Sequence, residues 1–69
     1  MIRFRTETTE NVVNAVDGNG DVQDEDRVTF KQGEKVDADI YNDNGDDVDI
    51  QFANGSVVNG LSKDTIEVI

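Results

Sequence analysis

Four aspartates fall on alternate positions of two neighbouring segments. Asp37 and Asp39 interleave with Val36, Ala38 and Ile40, and Asp47 and Asp49 interleave with Val48, Ile50 and Phe52. Period-two alternation marks strands with one apolar and one wet face, so these carboxylates project from one side of a hairpin. Asp43 and Asp46 carry the charge around its tip, and a second acidic stretch, Asp21, Asp24, Glu25 and Asp26, lies upstream. Carboxylates in such numbers have three chemical uses. A close pair such as Asp39 and Asp49 could do acid–base work on a glycoside, but here the pair sits on an open hairpin face with no Trp to stack a sugar. Oxygen ligands at the spacing Asp17-x-Asn19-x-Asp21 match the start of a calcium loop. That loop needs Gly at its sixth position and Glu at its twelfth, where this chain has Val22 and Val28. The expectation is a plain Asp-Gly-Asn-Gly turn, no metal, no cofactor and no enzymatic activity. The third use is a charged surface for a cationic partner.

Composition favours that third use. Sixteen acidic residues face six basic ones, for a net charge of −10 on 69 residues. Such a chain repels nucleic acid and anionic membrane and attracts basic protein surfaces. The absence of His removes the commonest general base, and the absence of Cys removes disulfides and thiolate metal sites. No apolar run approaches the ~20 residues of a membrane span and no secretory pattern opens the chain, so an intracellular location is expected. Only 35% of residues are apolar, but their ordered alternation argues for a folded chain. The length fits one domain, residues 1–69.

The alternation places strands at Ile2–Phe4, at Val28–Phe30, at Val36–Ile40, at Val48–Phe52, from Val57 to Leu61, and at Ile66–Val68. Asn54-Gly55 is a strong hairpin signal, and Ser62-Lys63-Asp64-Thr65 reads as one tight helical turn. Residues 7–26 read as a long acidic loop. Within it Asn11–Val16 fits a strand or one helical turn equally, because Val12, Val13 and Val16 satisfy either period. In the central hairpin, a three-residue loop Asp43-Asn44-Gly45 with Gly45 at positive φ sets Ile40 opposite Val48 and Asp39 opposite Asp49. That register keeps the apolar residues on one face but juxtaposes two like charges.

This order of elements resembles a five-stranded Src-homology-3-like barrel. The resemblance rests on Val28-Thr29-Phe30-Lys31-Gln32-Gly33-Glu34-Lys35-Val36, similar to that family's diverging turn. It rests also on Asn54-Gly55 where the distal hairpin belongs, and on Leu61–Val68 where the helical turn and last strand belong. Tudor-like and ribosomal-type small barrels share these features. The resemblance implies an all-β barrel whose binding face is flanked by the loops at 17–26 and 42–47. It does not extend to polyproline binding, which needs a groove of Tyr, Trp and Pro; the chain has one Tyr, no Trp and no Pro.

The functional expectation is a non-enzymatic, acidic protein-binding domain whose partner has a basic surface. In composition it resembles the small acidic anti-CRISPR and anti-restriction proteins of phages, which imitate DNA. Phosphates recur about every 3.4 Å along a DNA strand, and alternate strand residues about every twice 3.3 Å, so the spacings are commensurate. Two alternatives stand beside it. One is a structural or assembly module of a virion or complex. The other is a small-barrel domain of a salt-adapted organism, whose acidity serves only solubility.

Overall fold

A computed structural model describes residues 1–69 and is all-β, in eight strands and one 3-10 turn. The strands are β1 (Ile2–Phe4), β2 (Thr8–Val16), β3 (Val22–Phe30), β4 (Lys35–Val36), β5 (Ala38–Asp43), β6 (Asp47–Phe52), β7 (Val57–Ser62) and β8 (Ile66–Val68), with the turn at Lys63–Thr65 before β8. They form an antiparallel five-stranded sheet in the order β3-β2-β7-β6-β5 and a three-stranded sheet in the order β4-β1-β8. The two sheets are not joined into a closed barrel, and the strand count is eight where the resemblance implied five.

The core follows the alternation. Ile2 and Phe4 of β1, Ala38 of β5, Val48 and Ile50 of β6, Val58 and Leu61 of β7 and Ile66 of β8 are buried together, with Val12 and Phe30. Phe30 stacks on Phe4 at a ring separation of 4.4 Å and on Phe52 at 6.0 Å. Because Phe4 belongs to the smaller sheet and the other two rings to the larger, this stack ties the sheets together. The turns at Gly33 and Gly55 form where the sequence placed them. The central one falls over Gly45-Asp46 and not on the expected loop Asp43-Asn44-Gly45, whose Asp43 is still strand. Gly33, Gly45 and Gly55 all take positive φ, the region where a side chain is costly and Gly is not.

Two expectations are overturned. Residues 7–26 are no loop: β2 and β3 make a long hairpin closed by a turn at 17–21, and Asn11–Val16 is strand. Three polar side-chain pairs cross it, Thr9 with Thr29, Asn11 with Arg27 and Asn14 with Asp26. Beyond Val13 it has no apolar face, because residues 14–16 and 22–27 are exposed on both sides. The backbone ladder, the Asn14–Asp26 bond and an exposed Val16–Val22 pair carry that outer part, and none leaves an alternation to read.

The second correction is the register of β5 on β6. Ile40 lies opposite Ile50, Asp39 opposite Gln51 and Asn42 opposite Asp49. Asp39 does not face Asp49, and Ile40 does not face Val48. The cause is the turn. The Asn44 N–H bonds the Asp47 carbonyl, so the chain reverses over Gly45-Asp46 and sets Asp43 opposite Val48 and Asn42 opposite Asp49. A bulge at Tyr41, where two residues of β5 oppose one of β6, then shifts the inner pairs by one. The turn takes the two aspartates out of direct opposition, an arrangement that like charges disfavour, and the bulge returns Ala38 and Ile40 to the core face opposite Phe52 and Ile50.

Candidate functional site

The outer face of β5 and β6 is built around two bulges that flank one residue. On β5 the extra residue is Tyr41. On β7 the pair Asn59-Gly60 opposes the single Asp49, between the register pairs Val48 with Leu61 and Ile50 with Val58. A bulge leaves an N–H without a ladder partner, and here Asp49 supplies the acceptor: its Oδ1 takes the Gly60 N–H at 2.8 Å. Its Oδ2 takes a hydrogen bond from Asn42 Nδ2 at 3.0 Å. The Tyr41 hydroxyl reaches across β6 to donate to Asn59 Oδ1 at 2.8 Å, so the two bulges are bridged. The Gly60 backbone bond, then the Asn42 bond, hold the Asp49 carboxyl below its ordinary value.

Asp43 is occupied in a similar way. Its Oδ1 accepts the Gly45 N–H at 2.9 Å inside the hairpin turn, and its carboxylate accepts from Lys63 Nζ at 2.9 and 3.0 Å. The Gly45 bond first, and Lys63 second, lower its pKa. Two of the six acidic residues of this hairpin region are therefore braces for the turn and the bulges.

The other four make no side-chain hydrogen bond and no ion pair, and all are exposed: Asp37 before β5, Asp39 opposite Gln51, Asp46 in the turn and Asp47 opposite Ser62. A shallow depression of about 180 Å³ lies between Asp37, Asp39, Tyr41, Gln51 and Phe52. Tyr41 is 52% exposed although its hydroxyl is tied down. The sequence reading passed over this residue. The available signal was a lone Tyr among acidic neighbours on the wet phase of a strand.

The upstream acids do not join this cluster. Asp21, Asp24, Glu25 and Asp26 sit on the turn and β3, and β3 and β5 are the two opposite edges of the five-stranded sheet. Asp26 accepts from Asn14, whose Oδ1 accepts in turn from the hydroxyl of the buried Ser56. Asp17, the first residue of the calcium-like spacing, turns its carboxylate onto the Asn19 and Asp21 N–H groups and Gln23. No three His, Cys, Asp or Glu side chains are grouped to hold a metal ion.

The larger cleft, about 570 Å³, opens where the two sheets fail to join, between β5, the 3-10 turn and β8. Most of its charged lining is paired, Lys63 with Asp43 and Arg5 with Glu67, which Arg3 also meets from outside the cleft; Asp64 has no ion pair. Arg5 Nε also donates to the Ile66 carbonyl. No helix is long and apolar enough to cross a membrane. No family model, no curated protein and no solved structure matches the chain.

Proposed function

We propose that this domain is a non-catalytic binding module that docks on a cationic protein surface, of the kind that otherwise holds nucleic-acid phosphates. The observation that carries this reading is the depression beside Tyr41, where the unpaired carboxylates of Asp37 and Asp39 flank an exposed aromatic ring. A Lys or Arg side chain entering there would meet two anions and a ring face, and cations are attracted by both. Aromatic anchors ringed by polar groups are where binding energy concentrates. The braces at Asp43 and Asp49 fix the backbone beneath, so little ordering is needed on binding. The phage inhibitors that imitate DNA are the functional class to which this reading assigns the domain.

A second reading, an assembly module, is favoured by the β2–β3 hairpin. Its tip exposes Val16 and Val22, which face each other across the strands. An exposed apolar pair on a projecting hairpin suits docking on a neighbouring subunit.

The two readings separate by experiment. A partner captured from lysate is purified, and its affinity is measured for the parent, for Asp37→Asn/Asp39→Asn, for Tyr41→Ala and for Val16→Ser/Val22→Ser. The charged-face reading expects the first two variants to weaken binding, binding to fall with salt, and competition by the partner's own nucleic acid. Loss only in the Val16/Val22 variant assigns the contact to the hairpin tip and the assembly role.

A further inference from the structure

Asparagine precedes glycine four times, at Asn19-Gly20, Asn44-Gly45, Asn54-Gly55 and Asn59-Gly60. This dipeptide can modify itself, because no Cβ on the second residue hinders attack by its backbone nitrogen. The deprotonated Gly nitrogen bonds to the Asn Cγ, and ammonia leaves to give a five-membered succinimide. Water then opens the ring. Attack at Cγ yields Asp, and attack at the backbone carbonyl carbon yields isoaspartate, with the chain rerouted through the side chain. Two things restrain the reaction in a folded chain: a hydrogen bond on the Gly N–H, and a hydrogen bond that pins the Asn side chain.

The four sites differ in these restraints. Every one of the four glycine N–H groups is engaged: Gly45 with Asp43 Oδ1 at 2.9 Å, Gly55 with the Phe52 carbonyl at 2.9 Å and Gly60 with Asp49 Oδ1 at 2.8 Å. The bond from Gly20 to the Asp17 carbonyl is the longest, at 3.1 Å. Three of the asparagine side chains are pinned. Asn44 Oδ1 accepts from Asn42 Nδ2, Asn54 Oδ1 from the Ser56 N–H, and Asn59 Oδ1 from the Tyr41 hydroxyl. The Asn19 side chain has no partner, only its backbone N–H being bound, to Asp17. Asn19 also lies in the turn that closes the exposed part of the β2–β3 hairpin, where no core packing opposes local opening.

We propose that Asn19 is a modification site, at which the folded protein deamidates selectively while the other three asparagines are held back. The product adds a carboxylate between Asp17 and Asp21. The isoaspartyl form lengthens the backbone inside a turn that the Gly20–Asp17 bond closes.

The test is peptide mapping by mass spectrometry of the full chain held at mildly alkaline pH, native and in urea, with each site's native rate divided by its own unfolded rate. That ratio is expected to be nearest to one at Asn19. The missing side-chain bond alone separates Asn19 from the others by roughly two- to tenfold. In Tyr41→Phe, which removes the hydroxyl from an exposed side chain, Asn59 is expected to speed up and Asn19 to stay unchanged. Equal ratios at all four sites, a pinned site ahead of Asn19, or an Asn59 rate unaffected by Tyr41→Phe would each overturn the proposal.

Discussion

The two acidic hairpins of this molecule hold their charge in different ways. In β5–β6, the inner face is core, with Val48 and Ile50 fully buried, and two carboxylates are built into the backbone. Asp49 satisfies a bulge and Asp43 a turn. In β2–β3, the outer part has no core behind it, and its acids stand on strands held by a ladder and a few polar pairs. Both hairpins use an aspartate to hold a turn, Asp43 in one and Asp17 in the other. Only β5–β6 adds one that ties its ladder to a third strand over the core, Asp49. The β2–β3 acids Asp21, Asp24 and Glu25 make no side-chain bond and are solvated charge. Charge density alone does not reveal which acids are available to a partner.

The largest expected contrast is between apolar positions of the two hairpins, one buried and one exposed. Ile50→Ala should cost about 2–5 kcal/mol by urea denaturation, as buried Ile truncations do. Val22→Ala, at the exposed tip, should stay within about 0.5 kcal/mol. Equal costs would mean the outer part of β2–β3 is packed after all. Next in size is the contrast among aspartates. Asp49→Ala removes the acceptor of the Gly60 N–H and should lower Tm clearly. Asp39→Asn and Asp47→Asn remove only repulsive charge from a chain at −10 and should leave Tm unchanged or raise it. A Tm that drops alike in all three would erase the division between braces and free acids.

Acid should expose the same division more weakly. Asp43 and Asp49 have folded values below the ordinary 3.8. A group depressed in the folded state lends stability that is complete above its unfolded value and is lost as pH falls through its folded value. Their share of the Tm should therefore disappear only below about pH 4, and Asp49→Asn should reduce that acid-dependent loss. An unchanged acid limb in Asp49→Asn would show the brace contributes nothing. The smallest effect is salt. Raising ionic strength from about 0.01 to 0.15 M shortens the screening length from roughly 30 to 8 Å, and the Tm should rise modestly as the surface acids are screened.

What the sequence disclosed tracks the presence of a buried face. The β5–β6 turn was misplaced, but β5, β6, β7 and β8 each have one side on the core, so their existence, the Asn54-Gly55 turn and the outward aspartates could be read. The outer part of β2–β3 could not, since a strand wet on both sides has no period-two signature and Val12, Val13 and Val16 suit a helical turn as well. The register was missed for a different reason: Asn44-Gly45 does not say which residues close the turn, and the reversal over Gly45-Asp46 with a bulge at Tyr41 together set it. A bulge is a local compromise among neighbours on three strands, and nothing at Tyr41 itself announces it. With the bulges hidden, the link between Asp49 and Gly60 was hidden too. Asp37, Asp39, Asp46 and Asp47 were therefore legible as outward acids, while the braced roles of Asp43 and Asp49 were not.

Amide hydrogen exchange, followed residue by residue in the intact protein, tests the contrast between the hairpins most directly, because it reports the free energy of local opening. The slowest exchange is expected at Val48, Ile50, Val58 and Leu61, with the Gly60 amide also protected through Asp49. Gln23–Arg27 should exchange far faster, without requiring global unfolding. Uniform protection across β3 and β6, or an unprotected Gly60, would contradict the picture of one acidic hairpin braced onto the core and one whose outer part stands clear of it.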